Sequence, residues 1–415
     1  MGKVVKLEAP SQKESRPKRN RRSKAALVLG GGGFTAAVYE IGALRALDLL
    51  SVNRTINEFD IYVGTSAGSF VASLAANGVT PAEMMRVIDK ETPTPFRDVD
   101  LGTLLKPNYR DWLLRAVLLP LRLAGITRTV LTNRGQVSLM DVLTGLAEAF
   151  PPGLYNGSGI DSYMEEIFSD SDRTNDFRLL DNELLLPTTD LDTCERIVLG
   201  EKGWDDVPIS KAVAASAALP MVYKPVEMKG RQLVDGGVRS TTNVDIAVQR
   251  GAKFIIVVNP LVPYINDFKK QIPTIFGSRV RRVADMGFPQ IGYQAFRLMA
   301  HSRLHELSRQ WAERYPDVDI ILIEPEPNDE LMFGTSVMNF SNRVKIARHG
   351  FESVTLKLNR EHQRYRKVCE KHGIEISARR VAKVVDKAEE QKEPTRAWRR
   401  ILEQTTGSLL RQSGA

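Results

Sequence analysis

The stretch DIYVGTSAGSFVASLA, Asp60 to Ala75, decides the fold. Ile61, Tyr62 and Val63 make a short β-branched and aromatic run, which predicts a buried strand. Phe70, Val71, Leu74 and Ala75 then recur at helical spacing, and Asn77 and Gly78 supply the stop. Between strand and helix stands Gly64-Thr65-Ser66-Ala67-Gly68. A G-x-S-x-G turn in that setting lifts its serine to the carboxyl end of the strand. The turn is sharp, so Gly64 and Gly68 keep the flanks small. The opening amides of the helix lack intrahelical partners and can face a developing oxyanion. Ser66 is therefore the candidate nucleophile; the plain alternative is a helix cap set among small packing residues.

Upstream, AALVLG (Ala25 to Gly30) predicts another buried strand ending in glycines. Val38, Ile41, Leu44, Leu47 and Leu50 recur in three-residue steps, predicting a helix from Ala36 to Leu50. Strand, glycine turn, helix, strand, sharp turn, helix is the pattern of a doubly wound α/β sheet. Gly31, Gly32 and Gly33 carry no Cβ, so their amides can approach a substrate and hold an oxyanion. Gly31, Gly33 and Ala36 also fit a G-x-G-x-x-A dinucleotide turn. That reading lacks its partner, because Asp60 precedes the second strand rather than following it. No GKS or GKT follows, which excludes a P-loop.

Downstream, residues 92–158 are proline-rich and contain the apolar-basic run YRDWLLRAVLLPLRLAG from Tyr109. Trp112, Leu113, Leu114, Leu118 and Leu119 among Arg110, Arg115 and Arg122 fit either an interfacial helix or lid, or a helix packed on the core. Asp111 and Pro120 weigh against the interfacial form. The α/β pattern resumes over 183–192, 195–200, 209–219, 231–237, 251–260 and 318–326, with a further helix over 342–359. The 231–237 run ends in Asp235-Gly236-Gly237, which alone is a turn. A base for Ser66 must come from this half. All five histidines (301, 305, 349, 362 and 372) follow Asp235, so the chain order Ser, Asp, His is formally open. None lies in a glycine-flanked loop after a strand, and His301 and His305 sit in a helical stretch as ordinary surface residues. A Ser66–Asp235 dyad is the simpler arrangement.

The chain has 415 residues, 42% hydrophobic, with a net charge of +8. That length can bury a large core, and the charge favours anionic partners. The two cysteines, Cys194 and Cys369, form no CxxC pair or metal cluster; reduced thiols in an intracellular protein are expected. Residues 1–24 are basic, with Lys18, Arg19, Arg21, Arg22 and Lys24 clustered, and lack the apolar core of a signal peptide. The uncharged stretch 61–82 is too broken by glycine, serine, asparagine and proline to span a membrane.

Three blocks together resemble the patatin-like phospholipases: LVLGGGG with YEIGALRAL, then GTSAGS, then ASAALPMVYKPVEMKGRQLVDGG. The resemblance covers roughly 25–360, apart from a divergent 92–180. It implies a three-layer fold with a mostly parallel sheet between helices. It also implies a catalytic Ser66–Asp235 dyad, an oxyanion hole at Gly31, Gly32 and Gly33, an elbow at Gly64 and Gly68, and an acid loop at Gly236 and Gly237. Metal-free, cofactor-free hydrolysis of fatty acyl esters follows from it. The expected plan is a disordered basic tail (1–24), a catalytic domain (25–360) with a helical insertion or lid (92–180), and a charged helical extension (361–415). The expected partners are a glycerolipid or phospholipid and, peripherally, an anionic membrane surface; nucleic acid is not expected. The family's glycine loop usually continues with Arg-Gly, where this chain has Thr35 and Ala36. The alternative is therefore a catalytically impaired lipid-binding or scaffolding protein on the same fold.

Overall fold

The computed structural model describes residues 23–89, 96, 101–132, 138, 144–145, 147–266, 268, 272–273, 279–326, 329, 331–332, 342–380 and 382. The clustered basic residues before Ser23 and the end of the C-terminal extension lie outside them.

Strands β1 (Ala25–Leu29) and β2 (Ile61–Gly64) are parallel neighbours, with Leu29 opposite Gly64. Their carboxyl ends therefore coincide, and whatever follows each strand meets the other. Strand β3 (Glu183–Asp190) lies parallel on the far side of β2, with Val63 opposite Leu185. It runs on past the end of β2, and that overhang pairs with β4 (Arg196–Leu199) on one side. On the other side it pairs with β6 (Arg231–Asp235), which itself pairs with β5 (Val226–Met228). Strands β7 (Phe254–Val258) and β8 (Asp319–Ile323) extend the parallel half beyond β1. The order is β8-β7-β1-β2-β3-β6-β5, with β4 also on β3.

The sheet is thus mixed: five strands are parallel, and β4, β5 and β6 run antiparallel to their neighbours. Short connections account for two of the antiparallel pairings, β3 with β4 and β5 with β6. Lys229 and Gly230, both at positive φ (49° and 75°), close a two-residue hairpin between β5 and β6. Such a link permits only antiparallel pairing.

Side chains alternate across the sheet, as the pleat requires. Ala25, Leu27 and Leu29 of β1 join the larger core, while Ala26 and Val28 join the smaller one. The larger layer holds α1 (Gly33–Leu50), α2 (Ala67–Ala76), α3 (Pro81–Asp89), α5 (Ser158–Phe168), α6 (Ile209–Ser216) and α9 (Arg343–Arg360). The other face is covered by α7 (Val244–Gln249) and by Trp311 of α8 (Phe288–Arg314). Helix α1 is buried nearly all round, so a simple amphipathic stripe is absent. It crosses α9 closely at Gly42, where a Cβ would stand 2.1 Å from the Ala347 carbonyl oxygen.

The divergent region contributes helix α4 (Tyr109–Thr132), which runs through Pro120. Asp111 ion-pairs with Lys224 at 2.9 Å and accepts from Asn108, so its charge belongs to the fold. After α9 comes helix α10 (His362–Lys371), whose Tyr365 and Cys369 join the larger core. Both cysteines are free; Cys194 is exposed and Cys369 buried. Among the described residues, no helix is long and apolar enough to cross a membrane.

Candidate active site

Ser66 is the first residue after the sharp turn from β2 and caps α2 with φ 55° and ψ −123°. Only glycine adopts that conformation without cost, so the turn holds the serine in a strained pose. Its surroundings fix it there. The Ser66 amide donates to Ser216 Oγ at 3.1 Å, and Ser216 Oγ donates to the Pro187 carbonyl at 2.9 Å. Ser69 Oγ donates to the Ser66 carbonyl at 2.6 Å. A Cβ on Gly64 would stand 2.5 Å from the Gly68 carbonyl oxygen. One on Gly68 would stand 2.5 Å from the Leu29 carbonyl oxygen. Both elbow glycines are steric necessities.

Asp235 reaches Ser66 from the opposite direction. It ends the antiparallel strand β6, opposite Thr188 in the overhang of β3. Its Oδ2 accepts a hydrogen bond from the Ser66 hydroxyl, and its Oδ1 accepts one from the Gly237 amide at 2.7 Å. Gly236 lets this turn lie against β3, since a Cβ there would stand 2.3 Å from the Pro187 carbonyl oxygen. Burial raises the Asp235 carboxyl to about 6, against the two hydrogen bonds that favour its ionised form. A carboxylate with that value is mostly ionised at neutral pH yet a much better proton acceptor than a free aspartate.

The glycine loop lies directly over the serine: a Cβ on Gly31 would stand 3.1 Å from Ser66 Cβ. The three loop glycines do not play equal parts. The Gly31 amide donates to the Thr241 carbonyl at 3.1 Å, so it is already committed, contrary to the expectation that it faces an oxyanion. No described hydrogen bond occupies the amides of Gly32, Gly33 and Ala67. Gly32 and Gly33 both have positive φ, at 147° and 75°, which turns the chain from β1 into α1. Thr35 is buried in α1. The loop is instead held by backbone bonds, from Gly30 to Val258 at 2.9 Å and from Gly68 to Gly30 at 3.1 Å.

Ser66 and Asp235 open into a cavity of about 1000 Å³ lined by residues such as Phe34, Ile41, Phe70, Met84 and Ile160. That is a volume for a long apolar ligand rather than a compact polar one. Arg239, Arg303 and Arg343 also line it. None of the five histidines does; His305 pairs with Glu324, His349 with Asp329 and His372 with Asp319. The Ser, Asp, His arrangement left open by chain order is thus not assembled. Ser216, Thr241 and Asn243, which donates to Thr65 Oγ1 at 3.0 Å, support the site without a signal of their own in the sequence. Only the alanine-serine pattern around Ser216 pointed at that helix.

The family model for the patatin-like phospholipases matches residues 27–248, from within β1 to within α7. The chain belongs to the patatin-like phospholipase family. Among curated relatives, this patatin-like chain is 25% identical over 213 residues to the uncharacterized protein R571 of Acanthamoeba polyphaga mimivirus. It is 24% identical over 229 residues to the probable lipid hydrolase 463L of invertebrate iridescent virus 6. The matches take in 51% and 54% of this chain and 57% and 63% of those relatives. Among solved structures it is similar to VipD of Legionella pneumophila, with 15% identity, a TM-score of 0.34, and 80% of this chain and 66% of that one covered. It is also similar to ExoU of Pseudomonas aeruginosa, with 14% identity, a TM-score of 0.28, and 94% and 69% covered.

Proposed function

We propose that this patatin-like protein is a lipid acyl hydrolase, a phospholipase A or carboxylesterase, that works through Ser66 and Asp235. The observation that carries the reading is the hydrogen bond from Ser66 to a buried carboxylate on the wall of an apolar cavity. Asp235 Oδ2 takes the hydroxyl proton as Ser66 Oγ attacks the ester carbonyl. The oxyanion is held by the free amides around Gly32, Gly33 and Ala67. The tetrahedral intermediate expels the alcohol, which leaves with the proton from Asp235, and an acyl-serine remains. Asp235 then deprotonates a water that attacks the acyl group, and the fatty acid departs as Ser66 regains its proton. The fatty chain occupies the cavity. Arg239 and Arg303, exposed cations on its lining, suit an anionic head group.

Such a substrate lies at a lipid–water interface, and helix α4 supports docking there. Leu113, Val117 and Leu121 fall four residues apart on one face and are 69%, 75% and 72% exposed. Leu114 and Leu118 widen this ridge, and Arg110 and Arg128, both exposed, close its ends on the same face. The opposite face is occupied: Trp112 meets Phe150 edge-on, and Arg115 and Arg122 donate to the Glu148 carbonyl. An apolar ridge bracketed by cations, on a protein of net charge +8, fits an anionic bilayer surface. The Asp111–Lys224 pair fastens the base of α4 beside Met221–Tyr223, which line the cavity.

The test is a fluorophosphonate probe and a chromogenic acyl ester applied to wild type and Ser66→Ala. Labelling at Ser66 with turnover in the wild type, and neither in the variant, is expected. A folded wild type that neither labels nor turns over would leave the lipid-binding alternative in its place.

A further inference from the structure

Helix α8 forms one wall of the cavity through Phe296, Met299, Ala300, Arg303 and Leu304. His301 and His305 stand one turn apart on the same helix. Their imidazole rings are tilted toward each other by 34°, with centroids 4.0 Å apart. Glu324 follows β8 directly and enters the same space from the sheet. Its Oε2 meets His305 Nε2 at 2.9 Å, and its Oε1 accepts from Asn259 Nδ2 at 2.7 Å. Asn259 is buried and follows β7, so the carboxylate is oriented by a second fixed residue. One ring nitrogen from each histidine and one Glu324 oxygen all lie within 4.8 Å of one another.

We propose that His301, His305 and Glu324 form a binding site for a divalent transition metal of the zinc class, tying the cavity wall to the sheet. Three features of the donor set argue for it. Two imidazoles and one carboxylate suit zinc or its neighbours, whereas calcium and magnesium want oxygen ligands. The i, i+4 spacing puts both imidazoles on one helical face, and Asn259 supplies the outer hydrogen bond that metal-binding carboxylates need. Glu324 Oε2 pairs with His305, and His301 stands against the His305 ring with its own nitrogens near the same carboxylate. A tetrahedral metal at ~2.1 Å from each ligand sets neighbouring donors roughly 3.4 Å apart. Side-chain rotation of His301 and His305 supplies the closure, since both are only half-buried. A fourth position stays open to water.

The site is separate from Ser66 and Asp235, so its test does not depend on hydrolysis. The full chain, stripped with chelator, is titrated with Zn²⁺ by calorimetry, and with Co²⁺ while visible absorption is followed. Expected are one Zn²⁺ bound per chain through this site and a cobalt d–d spectrum of low-coordinate N/O type. His301→Ala, which removes no described hydrogen bond, should retain the wild-type circular dichroism. It should weaken that Zn²⁺ affinity by more than about tenfold, the loss seen when a mere supporting partner is removed. Glu324→Gln, which keeps a carbonyl acceptor for Asn259, should do the same. Absence of Zn²⁺ binding at micromolar metal, or equal affinity in wild type and a folded His301→Ala, overturns the proposal.

Discussion

Ser66 and Asp235 stand 169 positions apart in the chain and share a hydrogen bond with no histidine between them. The carboxylate that accepts the serine's hydrogen bond is buried, and its second oxygen is held by the Gly237 amide. That one relationship sets the first two expectations.

Activity should fall as pH drops through about 6, because burial raises the Asp235 carboxyl to that value and only its ionised form accepts a proton. The log of kcat/KM for a soluble ester should decline with unit slope below that point. A flat profile from pH 7 to pH 4.5 would contradict the assignment of Asp235 as base.

Asp235→Asn should inactivate the protein and also stabilise it. Burial raises the folded carboxyl from its ordinary value of 3.8 to about 6. The unfolded chain therefore releases that proton at lower pH, and keeping a buried charge costs stability as pH rises through the folded value. The cost is absent below pH ~4 and fully present above pH ~7, on the order of 2–3 kcal/mol. Urea denaturation at both pH values should show the variant more stable than wild type only at the higher one.

Ser66→Gly and Ser66→Ala should both lose turnover but differ in stability. Alanine inherits the strained φ of 55°, whereas glycine accepts it. Relief of such strain is worth about 1–3 kcal/mol, less the added chain entropy of glycine. A melting experiment should place the glycine variant about 1 kcal/mol above the alanine variant. Equal stabilities would mean that the turn carries no strain.

Gly68→Ala adds one methyl group against the Leu29 and Gly30 carbonyl oxygens, which a Cβ would approach to 2.5 and 2.7 Å. Backbone must move, at a cost of about 1–3 kcal/mol, and the glycine loop moves with it. Fluorophosphonate labelling of Ser66 should slow at least about tenfold, as the oxyanion donors lose their aim. Gly125→Ala, where a Cβ would meet nothing, is the matched control and should label at the wild-type rate.

Replacing Leu113, Val117 and Leu121 by Asp should abolish co-sedimentation with vesicles containing phosphatidylglycerol. Hydrolysis of a soluble short-chain ester should remain, because none of the three lines the cavity. Unchanged vesicle binding would show that the exposed ridge of α4 serves something other than lipid.

The sequence by itself determined the parallel half of the sheet and the residues around the serine. Apolar runs such as Phe254–Val258, glycine turns and helical spacing are local signals, and a buried strand or sharp elbow needs nothing else to be recognised. The antiparallel half was not legible in this way, because its direction follows from which strand the hairpin at Lys229 and Gly230 folds back upon. Chain order left Asp235 and five histidines as possible partners for Ser66, with the family resemblance favouring Asp235. The overhang of β3 brings Asp235 there, and that overhang is a matter of strand register, which no local pattern contains. Tertiary structure likewise decided which glycine amides are free: Gly31 is spent on Thr241, and hydrogen-bond partners distant in sequence are fixed only when the chain has packed. It also decided that His301, His305 and Glu324 converge, since a helix and a strand end acquire a shared face only by docking.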